Sequence, residues 1–434
     1  MNGPSAPRDP RAWLTTLEQF GIKLGLASIR AICEALGHPE RQFRSVHIAG
    51  TNGKGSVAAM VDEAVRAAGH HVGRYTSPHL VHLEERIALA GAPVPAALLD
   101  GALETVRAAV DRLRDAAALE VHPTFFEITT AAAFVVFARA GVDVGVIEVG
   151  LGGRFDATNV IDPVVAAITS IALDHEQHLG TTLEAIAYEK AGIVKPGVPV
   201  VVGELPHEAL GIVRRVCQER GAPLHDTAAE CVVSRARQNG RTILRLQTPR
   251  GVYPPTVLAL RGDHQAQNAA VAVRLLELLN DGGVPLSEAA IAAGLAGARW
   301  PARLDLVSVG GGREVLVDGA HNPAGAAALE AYIKSEWPQG LPLVFGAMRD
   351  KRAADMLRPL ARIARPLILT TAPGPRAADA EHLAAVARSI GIDDPLVCPV
   401  IQQALAAGWE RAPRIAAAGS LYLAGEVLRL LDRR

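Results

Sequence analysis

The sequence predicts an α/β protein of two units, a large N-terminal domain built on a parallel sheet and a smaller C-terminal α/β domain. Three observations carry this. The chain has 434 residues, more than one ordinary core serves. Short apolar runs alternate with helix-period segments, the pattern of βαβ units whose sheet is covered on both faces. And the alternation breaks at Gly297-Ala298-Arg299-Trp300-Pro301-Ala302-Arg303, where a helical pattern stops at a proline and a new alternation begins.

In chain order, residues 45–49 read as a buried strand, and 55–68 as the helix that follows a glycine turn. Residues 128–140 read as a helix, and 143–149, 164–170 and 198–202 as further buried strands. Residues 231–260 differ. They alternate apolar and polar over short stretches with a Gln238-Asn239-Gly240 turn, which predicts a hairpin-like insertion. Beyond the break, 314–317, 343–345 and 367–370 read as strands and 421–431 as the last helix. The expected domains are 1–298 and 299–434.

Composition narrows the function classes. Hydrophobic residues are 49% but aromatics only 4%, so helices rich in alanine pack on aliphatic strands. A net charge of -1 argues against a broad nucleic-acid-binding face. The four cysteines, Cys33, Cys217, Cys231 and Cys398, show no CxxC spacing and fit reduced thiols. No signal-peptide core opens the chain and no apolar run is long enough to span a bilayer. The expectation is a soluble cytoplasmic protein without nucleic-acid or membrane partners.

The chemistry concentrates at Gly50-Thr51-Asn52-Gly53-Lys54-Gly55-Ser56, between a strand and a helix. Glycines turn successive N–H groups inward, the helix N-terminus and Lys54 add positive charge, and Ser56 offers a hydroxyl to phosphate or magnesium. It is a variant loop: Gly55 separates Lys54 from Ser56, and Ile48 stands where the common pattern has its first glycine. Glu148 ends a buried strand, where α/β sheets place ligands. By spacing alone, His175 reads as a loop histidine with a structural hydrogen bond, and Lys190 as a solvated helix-end cation.

Gly50–Ser56 resembles the loop of the Mur ligase superfamily of ATP-dependent amide-forming enzymes. The stretches Tyr75–Leu80, Glu85–Ile87, Glu148–Asn159, Leu173–His175, Glu189–Ile193, Asp318–Pro323 and Gly419–Tyr422 are similar to the folylpolyglutamate synthase/dihydrofolate synthase family, in register over nearly the whole chain. Phe155 stands where that family more often has leucine.

The resemblance implies a P-loop ATPase-like first domain and a Rossmann-like second domain with the active site between them. It implies ligation of L-glutamate to dihydropteroate or reduced folate, through an acyl phosphate made from ATP with magnesium. ATP contacts would come from Asn52, Gly53, Lys54, Gly55, Ser56, Asn268, Arg303, Asp318 and His321, with Arg303 and Asp318 engaged on domain closure. Two magnesium ions would meet Ser56, Ser77, Glu148, His175 and a carbamylated Lys190; Lys54, His175 and Lys190 would be catalytic. Substrate would meet Leu24, Gly25, Leu26, Arg86, Thr124, Phe125, Phe126, Glu127, Arg154, Phe155, Asp156 and Ala157. Read without the resemblance, Phe125 and Phe126 serve equally as core, Arg86 and Arg154 as surface ion pairs, Asn268 as a helix cap and Asp318 as a turn former. The family suggests a monomer. A cell-wall peptide ligase and an ATP-hydrolysing switch are the competing readings; 44 residues before the first strand are few for the extra domain of the former.

Overall fold

The computed structural model describes residues 9–21, 25–238 and 240–432. Three sheets organise them. The largest has eight strands in the order β4-β3-β2-β5-β1-β6-β7-β8. These are β1 (Arg44–Ala49), β2 (Val72–Tyr75), β3 (Ile87–Leu89), β4 (Ala92–Pro93), β5 (Val144–Glu148), β6 (Val165–Ile168), β7 (Val200–Val202) and β8 (Leu224–Asp226). The centre is parallel and fully buried, as expected of runs such as Val-Gly-Val-Ile-Glu. The edge is not: β3 pairs antiparallel with both β2 and β4. These strands are too short, at three and two residues, to carry an alternation, so the sequence predicted no edge hairpin.

Helices Lys54–Ala67 and His264–Asp281 cover one face of this sheet, and Phe125–Arg139 the other. Phe125–Arg139 starts three residues earlier than its apolar period because Thr124 and Glu127 form a capping box, reciprocally satisfying two free N–H groups. Residues 231–260 form the expected insertion, a small antiparallel sheet of β9 (Val232–Gln238), β10 (Arg241–Thr248), β11 (Gly251–Val252) and β12 (Thr256–Val257). Its buried face, Leu244 and Leu246, packs into the same core as His264–Asp281. Asn239 lies outside the described residues.

The third sheet has six strands, β13-β14-β18-β15-β16-β17. They are β13 (Asp305–Gly310), β14 (Arg313–Val317), β15 (Leu341–Phe345), β16 (Ala364–Leu369), β17 (Leu396–Val397) and β18 (Arg414–Ala418). All pair in parallel except β13, which returns antiparallel on β14. The sequence reading missed β13 because Asp305–Gly310 is half exposed and shows no clean alternation. Two apolar cores sandwich this sheet, and the last helix runs Leu421–Asp432. Among the described residues no helix is long and apolar enough to cross a membrane, and the four cysteines are free thiols.

Candidate active site

The strand ends of β1, β2, β5 and β6 meet the C-terminal unit, and two cavities lie along that seam. The first, about 410 Å³, is built on the glycine loop. β1 ends at Ala49 and the helix begins at Lys54. Gly53 caps it in the left-handed region (φ 87°), against the Asn268 amide, where a side chain has neither the backbone angle nor the space. Lys54 Nζ donates to the carbonyls of Gly50 (3.0 Å) and Thr51 (3.4 Å) and lies 3.9 Å from Glu148. Lys190, at the end of helix Leu183–Ala191, donates to the same Gly50 carbonyl at 2.9 Å. Two ammonium groups cannot share one carbonyl comfortably. Burial, and then the Lys54 charge, pull Lys190 down to about 7, so much of it is a neutral amine at physiological pH.

Glu148 is buried at the end of β5 and takes the Ser77 N–H at 3.3 Å. Burial raises its pKa, against the pull of Lys54. Ser56 accepts from Gln265 (3.3 Å), which in turn accepts from Asn268 (2.9 Å). From the C-terminal side, Arg303, Asp318 and His321 line this cavity. Asp318 is fixed by the N–H groups of Leu304 and Ala320, both at 2.8 Å. His321 Nδ1 meets the Gly319 carbonyl at 2.8 Å.

The second cavity, about 630 Å³, is lined by Gly25, Arg86, Thr124, Phe125, Phe126, Glu127, Phe155, Asp156 and Ala157. Arg86 lies 5.0 Å over the Phe125 ring and donates to His79 (2.9 Å). Asp156 is buried, and burial raises its pKa, yet it accepts from Thr158 and from the Leu151 N–H. Two expected residues are not brought to this cavity. Leu26 packs into the core beneath it. Arg154 stacks on Phe155 and Tyr188 and pairs with Glu189 at 3.6 Å, outside the lining. Leu24 lies outside the described residues.

The structure adds residues that the sequence reading did not assign. Asp174 crosses between the units: Lys351 (2.5 Å) and Asn322 (3.0 Å) bind its carboxylate and His321 lies 3.4 Å away. Burial opposes ionisation, but the His321 bond and the Lys351 and His175 charges hold Asp174 well below the usual carboxylate range. Asn322 and Asn52 also exchange hydrogen bonds across the seam. Lys351, Arg352 and Arg376 line the second cavity together with the carboxylates of Asp174, Glu176 and Asp350. Asp174 and Asn322 sit inside stretches already singled out; Lys351, in Arg349-Asp350-Lys351, has no local pattern to flag it. The cavities share a wall containing Ser77, Gly150, His175 and His321, so a group in one reaches a group in the other.

Comparison with known families agrees. The Mur ligase middle domain matches residues 48–276 and the Mur ligase glutamate ligase domain residues 302–421. The dihydrofolate synthase/folylpolyglutamate synthase of Bacillus subtilis is 37% identical, over 87% of this chain and 88% of that protein. The chain belongs to the folylpolyglutamate synthase/dihydrofolate synthase family of Mur ligases. Within this family, the Mycobacterium tuberculosis folylpolyglutamate synthase complexed with ADP and AMPPCP superposes with a TM-score of 0.91 at 34% identity, covering 98% of this chain and 100% of that one. Escherichia coli FolC in complex with DHPP and ADP gives 0.87 at 32% identity, over the full length of both chains.

Proposed function

We propose that this family member is an ATP-dependent ligase that joins the amine of L-glutamate to the carboxylate of dihydropteroate and of reduced folates. The observation that carries the reading is the shared wall: a phosphate loop on one side, an aromatic and acidic pocket on the other, and Ser77, Gly150, His175 and His321 between. A nucleotide in the first cavity directs its terminal phosphate toward the second. A flat pterin stacks on Phe125, Phe126 and Phe155 and pairs its guanidine-like edge with Asp156. Its distal carboxylate then attacks the terminal phosphorus, the bond to the bridging oxygen breaks and ADP leaves, and the resulting acyl phosphate has the leaving group that a free carboxylate lacks. The glutamate amine displaces phosphate and the amide forms. Lys54 neutralises the phosphates, and closure of Arg303 and Asp318 onto the nucleotide keeps water from the acyl phosphate.

The donor set fits magnesium. Glu148 is a buried carboxylate beside the loop, with Ser77 and Ser56 hydroxyls and His175 on the same cavity. Among the described residues no three His, Cys, Asp or Glu side chains cluster to form a closed metal site. That suits an ion which keeps waters and takes phosphate oxygens. Bound there, magnesium supplies charge neutralisation of the phosphates. We assign Ser77, Glu148 and His175 to one ion, Ser56 to the nucleotide's ion, and a carbamate on Lys190 to the metal or glutamate side; its position on the Gly50 carbonyl and its lowered pKa support this. Asn52, Gly53, Lys54, Gly55, Asn268 and His321 complete the nucleotide contacts. The domains divide at 298/299, between the helix ending at Gly297 and β13, and the protein acts as a cytoplasmic monomer.

The test is glutamate-dependent ADP release with magnesium, comparing dihydropteroate with tetrahydrofolate and reading product mass in the same tubes. Turnover with both acceptors supports the dual activity. Turnover with one restricts it, and ATP hydrolysis without acceptor overturns it.

A further inference from the structure

One of the loop's two departures from the common phosphate-binding pattern is Gly55, wedged between Lys54 and Ser56. The seam explains why. Gly55 lies in the first turn of helix Lys54–Ala67, and a Cβ there would stand 2.5–2.6 Å from the indole ring of Trp300. No real Cβ tolerates that approach. Trp300 is a linker residue, between the helix ending at Gly297 and Arg303, which lines the nucleotide cavity.

The indole is also held from elsewhere. The Arg74 guanidinium of β2 lies 5.1 Å from its ring centre, a cation–π contact. Arg74 in turn is ion-paired with buried Asp62, on the same helix as Gly55. The contacts therefore close a ring: helix, Arg74, linker indole, first turn of the helix. The turn whose N–H groups would face a phosphate carries the interdomain linker on its back.

We propose that Trp300 is a positioning residue that couples phosphate occupancy of the loop to the orientation of the linker, and so to the delivery of Arg303 into the nucleotide cavity. Gly55 is in the loop because the indole fills the space of its side chain. The inference rests on the reading of Gly50–Ser56 as the nucleotide loop, and extends it to the hinge. Trp300 touches no reactant; it acts through Gly55 and through the three-residue span to Arg303.

Two measurements test it. The first is tryptophan fluorescence during titration with magnesium–ADP and magnesium–AMPPCP, with calorimetry in parallel. Nucleotide should change the emission of the parent. Trp300→Phe should remove most of that change while still binding nucleotide, because Trp13, Trp337 and Trp409 lie elsewhere. The second is a double-mutant cycle in the glutamate ligation assay. Gly55→Ala should lower kcat by about tenfold or more, the size expected when contacting groups are forced together. Trp300→Leu, which makes room, should restore a large part of that loss when combined with Gly55→Ala. A tryptophan that only packs on the helix would also be non-additive with Gly55→Ala, so the emission separates the two roles: a nucleotide-dependent change that survives in Trp300→Phe overturns the coupling, and losses that simply multiply overturn the contact on which it rests. Calorimetric binding with no emission change at Trp300 overturns the coupling alone, whereas no nucleotide binding to the parent overturns the loop reading and the coupling with it.

Discussion

Lys351→Met removes the closest partner of Asp174 across the seam. The pair is well shielded, with 11% and 6% of the two side chains exposed. Stripping one partner from a buried ion pair costs about 3–5 kcal/mol. Asp174 keeps Asn322 at 3.0 Å and His321 at 3.4 Å, so the lower end, about 3 kcal/mol, is the reasonable figure. All three partners belong to the C-terminal unit. When the units part, Asp174 meets water and the penalty disappears, so the cost falls on the closed arrangement and not on folding. That weakens closure by roughly 150-fold. Small-angle scattering with magnesium–AMPPCP should show the parent compact and the variant expanded, with the thermal midpoint of the variant near the parent's. Turnover should fall at least tenfold. A variant that closes like the parent, or one that melts early yet closes, would refute the reasoning.

Lys54→Ala should abolish ADP release while circular dichroism stays near the parent's, because its bonds are to two loop carbonyls and its 3.9 Å contact with buried Glu148 is one long ion pair, whose loss Glu148 can meet by taking up a proton; near-normal turnover would remove the phosphate-loop assignment. For Lys190, a pKa lowered to about 7 means that the reactive neutral amine gains through pH 7, so carbamate labelling by ¹³C-bicarbonate should rise between pH 6 and 8, and Lys190→Ala should be weak, unlabelled and deaf to bicarbonate. The unfolded chain binds the extra proton between that pH and the ordinary lysine range, so stability without bicarbonate should climb across this window by up to about 1.4 kcal/mol per pH unit, a slope that Lys190→Ala should lack.

Much of this protein is legible in its sequence where structure is local. The parallel strands of the first sheet read as apolar runs because both faces are buried, and the glycine loop reads as such because its backbone angles and charges are written in adjacent residues. What the sequence hides is of two kinds. β3, β4 and β13 are short or half-exposed edges, shaped by pairing partners and not by periodicity. Asp174–Lys351 joins residues 177 apart, and no local pattern announces such a partner. Arg154 fails for a related reason: an arginine beside a motif looks like a ligand-binding cation, but Phe155, Tyr188 and Glu189 satisfy it away from the cavity. Gly55 was visible as an anomaly and unreadable as a cause, since the indole that demands it lies 245 positions downstream.

Among the described residues, only Ser77, Pro78, Gly150, Leu151, Asp174, His175 and His321 border both cavities. The partition leaves evolution two nearly independent dials. Residues such as Thr124, Phe125 or Arg376 can drift toward a longer, shorter or differently charged acceptor while nucleotide affinity stays put. Changes in the shared strip, by contrast, alter both substrates together and have few viable alternatives. New acceptor preferences in chains of this design should therefore arise by repainting one room without moving the door.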